Sequence, residues 1–283
     1  MVRLADLDAR TLMRWYQSLA VDKGLSPKTI ANTAGVLSVA LADAVRLRLL
    51  RHNPAKEARV PRRAHREMSA WSAAEAEAFL DAVAGDRFYA MWRLVLTTGL
   101  RRGEVCGLRW QDVDLGAAVV EIVETRVVAE REVHGPPKTA AGTRRIALDQ
   151  ATVSALHGWR RRQAEERLAA GSAWTDSGRV FVDELGVPPH PETVTRWWRE
   201  AVQSAGARSI RLHDARHTAA TLLLRAGVPV KVVTQRLGHA DVAVTMRVYQ
   251  HTTAQDDQAA AAAIGRALGS GDALGQNTPR TEG

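Results

Sequence analysis

The stretch FYAMWRLVLTTGLRRGEV at residues 88–105 contains an apolar helical pattern followed by the basic first turn of a second helix. Its apolar residues run at helical spacing up to Gly99, and glycine commonly ends helices. Arg101 then begins a second short helix, just after a turn where a glycine lets backbone and guanidinium approach a phosphate closely. Glu104 lies three residues further on, where its carboxylate can orient Arg101, and Arg102 is the more exposed neighbour. The stretch therefore predicts a helical fold with an anion-binding arginine at a helix junction.

A second basic motif, HDARHT, occupies residues 213–218 and is predicted to begin another helix. His213, Arg216 and His217 are three and four residues apart, so on a helix they share one face. Histidines at this spacing also suit zinc, but the fixed charge of Arg216 on the same face would repel a cation. Asp214, the one carboxylate in the motif, faces elsewhere. The motif therefore favours an anionic guest over a metal, with an ordinary polar helix start as the plain alternative.

Three further groups complete a recognisable chemistry. His239 follows the helix-ending glycine of LGH, and Tyr249 lies ten residues later. Lys138 stands in GPPKTAAGTRRIAL, on or beside a predicted hairpin turn. Arginines that neutralise phosphate oxygens, a lysine or histidine that protonates the leaving oxygen, and a tyrosine that attacks phosphorus can break a phosphodiester without a metal. A half-buried packing role is the more frequent one for any single tyrosine, so the order of the whole set carries the argument.

In order and spacing, these motifs resemble those of the tyrosine recombinase (phage integrase) family, most specifically over residues 98–251. The resemblance implies a DNA strand-exchange enzyme whose phosphate is held by two arginines and two histidines. At the matching positions these are Arg101, Arg216, His213 and His239. Glu104 and His217 take supporting roles.

The same resemblance assigns the covalent step. Lys138 is implied as the general acid to the leaving 5′-oxygen, and Tyr249 as the nucleophile that becomes linked to the 3′-phosphate. Only five of the 39 basic residues are lysines, and a lysine can give up a proton near neutral pH where an arginine cannot. Since the phosphotyrosyl bond conserves the energy of the phosphodiester, neither ATP nor a metal nor another cofactor is expected.

The fold is expected to be mainly α with a small β-sheet. It comprises a helical core-binding (clamp) domain at residues 1–60, a basic linker at 61–70, a catalytic domain at 71–252 and a tail at 253–283. Integrases of mobile elements commonly carry an additional N-terminal arm-binding domain, which the resemblance does not place in residues 1–283. The expected explanations are a simpler recombinase or a shortened N-terminus. The tail, through Ile264 and Leu268, is expected to dock on a neighbouring protomer.

Sequence patterns also set element boundaries. Helices are predicted at 7–21 and 27–50, the second with Ser26 as N-cap and Pro27 at its first position. Ser72 and Glu75 form a capping box. The alternation in residues 117–130 predicts one strand, and residues 143–149 a second. The paired tryptophans Trp197 and Trp198 are assigned to the core rather than to base stacking, and Cys106 to packing.

The positive charge is concentrated at the N-terminal end. Residues 1–66 hold 13 Lys and Arg against 5 Asp and Glu, whereas residues 67–283 hold 26 of each, within a net charge of +8. Phosphate neutralisation supplies most sequence-independent DNA affinity, so the basic quarter is predicted to grip double-stranded DNA. A solvated helical surface is the alternative. The residues chosen as DNA contacts are Lys28, Arg46, Arg48, Arg62 and Arg63.

Composition narrows the classes of protein. The sequence contains no long apolar run, signal peptide or second cysteine, so a soluble, cytoplasmic, nucleoid-associated protein without membrane or metal is expected. The protein is expected to form a homotetramer in the synaptic complex, with accessory DNA-bending or directionality proteins as further partners. Two rival interpretations stay open: a type IB topoisomerase that relaxes DNA as a monomer, and a catalytically silent DNA-binding regulator.

Overall fold

The structure of the protein, a computed structural model, describes residues 3–61, 69–128, 132–135, 142–239 and 241–249. These residues form ten α-helices and five short β-strands, which confirms the predicted mainly helical fold with little sheet. The chain divides into two compact units, Met1–Glu67 and Met68–Gly283. No helix within the described ranges is long and apolar enough to cross a membrane.

The helices of the N-terminal unit are α1 (Ala9–Val21) and α2 (Pro27–Arg46). The helices of the C-terminal unit are α3 (Ala73–Ala82), α4 (Tyr89–Thr98), α5 (Arg102–Gly107), α6 (Gln150–Ala170), α7 (Pro191–Ser204), α8 (Leu212–Arg225), α9 (Val230–Leu237) and α10 (Val242–Tyr249). Its strands are β1 (Val113–Asp114), β2 (Val119–Ile122), β3 (Thr125–Val128), β4 (Glu132–Gly135) and β5 (Arg144–Ala147).

In the N-terminal unit, α1 and α2 pack around a small core that includes Leu12, Tyr16, Ile30 and Leu41. The predicted start of α2 is confirmed, since the Ser26 hydroxyl accepts the N–H of Thr29 at 3.2 Å and Pro27 occupies the first turn. Its predicted end at residue 50 is wrong.

Helix α2 ends at Arg46 because the chain turns there before it reaches the proline of HNPA. Arg48 adopts a left-handed conformation with φ of 60°, and the N–H groups of Leu49 and Leu50 both reach back to the carbonyl of Ala44. Such a reversal satisfies carbonyls left open at a helix end.

The core of the C-terminal unit surrounds α4, where Met91, Trp92 and Leu94 are fully buried. Ser72 and Glu75 form the predicted capping box at α3. The ring of Trp198 lies 5.6 Å from that of Trp92, and Trp197 stacks on Phe88 at 4.2 Å, so their assignment to packing is confirmed.

Cys106 lies in α5 and is fully enclosed by the same core. Burial raises the pKa of its thiol to about 11, which leaves it protonated and unreactive at neutral pH. The packing role predicted for this cysteine is therefore confirmed.

The predicted strand over residues 117–130 is wrong, because the chain breaks between two sheets. β2 lies in a three-stranded antiparallel sheet of order β1-β2-β5, with Val120 opposite Ile146. After Val123 and Glu124 the chain leaves this sheet, and β3 pairs with β4 in a separate hairpin. The second predicted strand is present as β5. Lys138 follows β4 in sequence and lies outside the described residues.

Gly99 ends α4 in the left-handed conformation, with φ of 66°, as its position in the sequence predicts. A Cβ at this position would overlap the side chain of Leu237 at the end of α9. Gly238 ends α9 in the same conformation, with φ of 67°. Two helix C-termini from distant parts of the sequence are therefore brought into direct contact.

We predict that Gly99→Ala destabilises the protein by about 2 kcal/mol or more, since alanine is strained at positive φ and its methyl group overlaps Leu237. Gly158→Ala is the matched control. It lies within α6, where a Cβ would meet nothing within 4 Å, so this change should leave stability equal or raise it by up to about 1 kcal/mol. Urea denaturation of both variants measures the difference, and equal effects would contradict the packing argument.

Candidate active site

The contact between the ends of α4 and α9 places three backbone carbonyls around two arginines. Arg216 on α8 donates to the carbonyls of Gly99 at 2.7 Å and Leu237 at 2.5 Å. Arg101 donates to the carbonyl of Gly238 at 2.7 Å. Carbonyls at a helix C-terminus carry partial negative charge, so they hold cations well without neutralising them. Both guanidinium groups are thus fixed, and carbonyls are the hydrogen-bond partners of Arg216 in the described structure.

Arg216 is only 2% exposed, while the side chain of Arg101 is 39% exposed. Burial and the charge of Arg101 lower the pKa of Arg216 to about 9, although nearby Glu104 opposes the shift. Arg216 stays protonated at neutral pH. Its hydrogen-bond partners in the described structure are carbonyls rather than a carboxylate, so an incoming anion would supply the opposite charge.

Glu104 orients the Arg101 side chain, as its position three residues later predicts. Its Oε1 accepts from Arg101 Nη1 at 2.7 Å, and its Oε2 accepts from the backbone N–H of Arg101 at 2.8 Å. The carboxylate is 1% exposed. Burial raises the pKa of Glu104, but the hydrogen bonds and charge of Arg144, with those of Arg101, outweigh it and the pKa is lowered. Glu104 is therefore ionised.

Arg144 is a residue that the sequence analysis missed. Its Nη1 and Nη2 donate to the two oxygens of Glu104 at 3.0 and 2.9 Å, and its Nε donates to the carbonyl of Arg236 at 2.7 Å. A signal was available in TRRIAL. Side chains alternate along a strand, so Arg144 shares the inward face with buried Ile146, while Arg145 points outward.

The three predicted site histidines border the same arginines. His213 and His217 lie one turn apart on α8, with ring centres 5.0 Å apart. Desolvation and the charge of Arg216 lower the pKa of His213, and burial and His213 lower that of His217 to about 4. Burial, Arg216 and Arg101 lower the pKa of His239 to about 4. All three rings are neutral at pH 7, so they offer hydrogen bonds rather than charge.

The balance of charge favours an anion. Arg101, Arg144 and Arg216 face a single carboxylate, that of Glu104, which leaves an excess of two positive charges among these groups. Beside Arg101 and His213 opens a cleft of about 540 Å³. Within the described part of the chain, no three His, Cys, Asp or Glu side chains come together as a metal site. The arrangement can hold a phosphate and stabilise negative charge that develops on it.

Helix α10, which carries Tyr249, contacts the turn that holds His239. His239 Nδ1 lies 2.9 Å from the hydroxyl of Thr245, a buried residue of α10. Tyr249 is one helical turn further along α10, and the structure describes its backbone. Lys138 lies outside the described residues.

Three of the predicted DNA contacts are described by the structure, and they lie in the N-terminal unit. Lys28 is exposed in the first turn of α2, and Arg46 and Arg48 are exposed at its other end, about 27 Å away at 1.5 Å per residue. Arg46 pairs with Asp43 at 3.1 Å. Arg62 and Arg63 lie outside the described residues.

Residues 71–256 match the phage integrase family. The chain belongs to this family of tyrosine recombinases. It is 29% identical over 269 residues to a tyrosine recombinase XerC-like protein of Caldanaerobacter subterraneus subsp. tengcongensis, covering 88% of this chain and 68% of that one. It is 32% identical over 256 residues to an integrase of Streptomyces ambofaciens, covering 88% of this chain and 66% of that one. The chain thus spans about two thirds of these relatives.

A solved structure shares the fold. The integrase of transposon Tn1549, in complex with transposon right end DNA, superposes with a TM-score of 0.78 over 95% of this chain and 87% of that one, at 22% sequence identity. At this identity the likeness establishes the fold alone. The family assignment agrees with the resemblance in the five motifs.

We predict that Arg144→Met lowers the free energy of unfolding by about 3–5 kcal/mol at pH 7, because it removes the bidentate ion pair of the buried Glu104 carboxylate. The folded-state pKa of Glu104 is lowered in the unchanged protein, so this carboxylate stabilises the fold above its usual pKa of 4.5 and ceases to do so as pH falls. The deficit of the variant should therefore shrink below about pH 4.5. Urea denaturation at several pH values measures it.

Arg145→Met is the matched control for this experiment. Arg145 is adjacent on β5 and pairs with Glu121, but both side chains are exposed, so its removal should cost about 0–1 kcal/mol. Equal losses in the two variants, or a deficit in Arg144→Met that does not vary with pH, would contradict the role assigned to Arg144.

Proposed function

We propose that this protein is a site-specific DNA recombinase that cleaves and rejoins strands through a 3′-phosphotyrosyl intermediate, without metal or ATP. The observation that carries the proposal is the pair of guanidinium groups, Arg101 and Arg216, both held by helix-end carbonyls. Together with Arg144 they outnumber the one carboxylate they share, that of Glu104. Such a pocket binds a phosphodiester and favours the greater negative charge of its transition state. Family membership supports the reaction class.

We assign each step of the proposed reaction to a residue of the pocket or to Tyr249 and Lys138. Arg101 and Arg216 bind the non-bridging oxygens of the scissile phosphate, and His213 and His239, both neutral, complete its hydrogen bonds. The Tyr249 hydroxyl gives up its proton to solvent as its oxygen attacks phosphorus, the bond to the 5′-oxygen breaks, and Lys138 protonates that oxygen and regains a proton from solvent. A phosphotyrosine and a free 5′-hydroxyl result. A 5′-hydroxyl from another strand then reverses the reaction and releases Tyr249, so the number of ester bonds is conserved.

Three supporting residues act through the catalytic groups. Glu104 fixes the direction of the Arg101 side chain, and Arg144 fixes Glu104. His217 packs behind His213 and supports its ring. Positioning of this kind contributes to rate because the donors need no reorganisation when charge develops.

Double-stranded DNA is the proposed substrate, and the basic N-terminal unit is proposed to supply affinity that does not depend on sequence. Strand exchange would proceed in a homotetrameric synapse, with accessory DNA-bending or directionality proteins as further partners. Joining of strands from two DNA sites distinguishes this function from relaxation of supercoiled DNA by a topoisomerase, whereas a silent regulator would bind DNA and form no adduct.

We predict a covalent protein–DNA adduct on nicked duplexes prepared from the DNA that flanks the coding region, in buffer with EDTA and without ATP. Tyr249→Phe should abolish it, and Arg216→Lys should slow its formation about 10²–10³-fold, as loss of a fixed transition-state donor does. Denaturing electrophoresis measures the adduct.

Tyr16→Phe provides the control for the tyrosine substitution. The Tyr16 hydroxyl is buried in the N-terminal unit and has no hydrogen-bond partner among the residues that the structure describes. Its removal should leave both stability and adduct formation unchanged. An adduct that survives in Tyr249→Phe, or one that requires a divalent metal, would refute the mechanism.

We predict that Lys28→Gln, Arg46→Gln and Arg48→Gln each weaken DNA binding and reduce the slope of log affinity against log salt by about one. Arg48→Gln should have more effect than Arg46→Gln, since Arg46 already pairs with Asp43. Fluorescence anisotropy at several salt concentrations measures the slopes. Arg167→Gln is the control, because Arg167 is an exposed residue of the other unit that pairs with Asp176. The assignment would be refuted if all three variants gave the same slope as the unchanged protein.

A further inference from the structure

We infer that Thr245 is a positioning residue, whose hydroxyl holds the ring of His239 in the tautomer that carries its proton on Nε2 and seats α10 against α9. This inference rests on the proposed function, since it concerns how His239 and the helix of Tyr249 are prepared for the phosphate. It assigns a role to a hydroxyl that lies outside the five motifs.

The position of Thr245 is constrained from two sides. Its side chain is fully buried, at 0% exposure, although α10 is otherwise exposed at Val242 and Met246. Its Oγ1 lies 3.0 Å from the Thr234 hydroxyl on α9 and 2.9 Å from Nδ1 of His239 in the turn after α9. One buried hydroxyl therefore joins the helix of the nucleophile, the preceding helix and a phosphate-binding residue.

The directions of these hydrogen bonds select a tautomer. The Thr234 hydroxyl has one proton, and it lies within donating distance of the Val230 carbonyl at 2.7 Å and of Thr245 Oγ1 at 3.0 Å. In the second contact the Thr245 oxygen is the acceptor, so the proton of Thr245 is not used there. Among the described residues, the acceptor left within reach of that proton is Nδ1 of His239 at 2.9 Å. Nδ1 is then an acceptor, so the single proton of the neutral ring sits on Nε2.

The tautomer matters because His239 is neutral. Burial with Arg216 and Arg101 nearby lowers the pKa of His239 to about 4, so charge alone cannot make it a donor at pH 7. A ring with Nε2–H can donate to a phosphate oxygen, whereas the other tautomer would present a lone pair from Nε2. Thr245 thus converts a neutral ring into an oriented donor.

The same hydroxyl also constrains the helix of the nucleophile. Thr245 and Tyr249 are four residues apart on α10, which is one turn. A buried hydroxyl that loses its partners is costly, so α10 is held in the register in which Thr245 meets Thr234 and His239. Removal of the hydroxyl should affect the chemical step more than DNA binding.

The test compares three substitutions in the full chain. Thr245→Val keeps the shape and removes the hydroxyl, Thr245→Ser keeps the hydroxyl, and Met246→Leu is an exposed control on the same helix. Two quantities are measured: the ¹⁵N NMR signals of the His239 ring nitrogens, assigned with His239→Gln, and the rate of adduct formation at saturating nicked duplex. Thermal unfolding checks that each variant folds.

We expect Nε2–H signals in the unchanged protein, in Thr245→Ser and in Met246→Leu, and a loss of this preference in Thr245→Val. Adduct formation should slow about 10–100-fold in Thr245→Val, equivalent to one or two lost hydrogen bonds, with DNA affinity unchanged within about twofold. Thr245→Ser should restore the rate to within about threefold.

Unchanged ring signals in Thr245→Val would overturn the inference, because the hydroxyl would then not fix the tautomer of His239. A Thr245→Ser variant as slow as Thr245→Val would also overturn it, because the hydroxyl would then not account for the rate. An unchanged protein that forms no adduct would overturn the proposed function instead, and the ring signals would still decide the role of Thr245.

Discussion

The site depends on one buried charge, the guanidinium of Arg216, held by the last carbonyls of two helices. Burying an arginine without neutralising it is unfavourable, and helix-end carbonyls reduce this cost because their dipoles point at the cation. Its hydrogen-bond partners in the described structure are carbonyl oxygens, those of Gly99 and Leu237. A carboxylate in their place would cancel the positive charge that this arrangement offers to an anion.

The negative charge that the site does contain is kept one step away, on Glu104. Its two oxygens accept four hydrogen bonds, two from Arg101 and two from Arg144. This arrangement separates two tasks: Arg144 compensates the buried carboxylate, and Arg101 is oriented by it while its Nη2 reaches the Gly238 carbonyl. Burial, together with the positive charge of the neighbouring arginines, lowers the pKa of His213 and His239, so these histidines stay neutral at pH 7.

Local signals were sufficient to predict much of this from sequence. Gly99 and Gly238 ended their helices as glycine does, Ser26 and Ser72 capped theirs, and the pairing of Glu104 with Arg101 followed from helical spacing. What sequence reasoning missed depended on long-range contacts. The break between β2 and β3 reflects a change of sheet partner, which alternation cannot register. Arg144 and Thr245 gain their roles from partners 40 and 11 residues away in sequence. The end of α2 was also missed, because the residue that reverses the chain there is a left-handed Arg48 rather than a glycine or proline.

The meeting of Gly99 with Leu237 has a consequence for biosynthesis. The carbonyls that hold Arg216 come from segments 138 residues apart in sequence, Gly99 and Leu237, and the second segment leaves the ribosome long after the first. A nascent chain that has emerged only through α8 has its arginines but lacks the α9 carbonyls that aim them. The hydrogen-bond partners of Arg216 are therefore complete only after α9 has been synthesised.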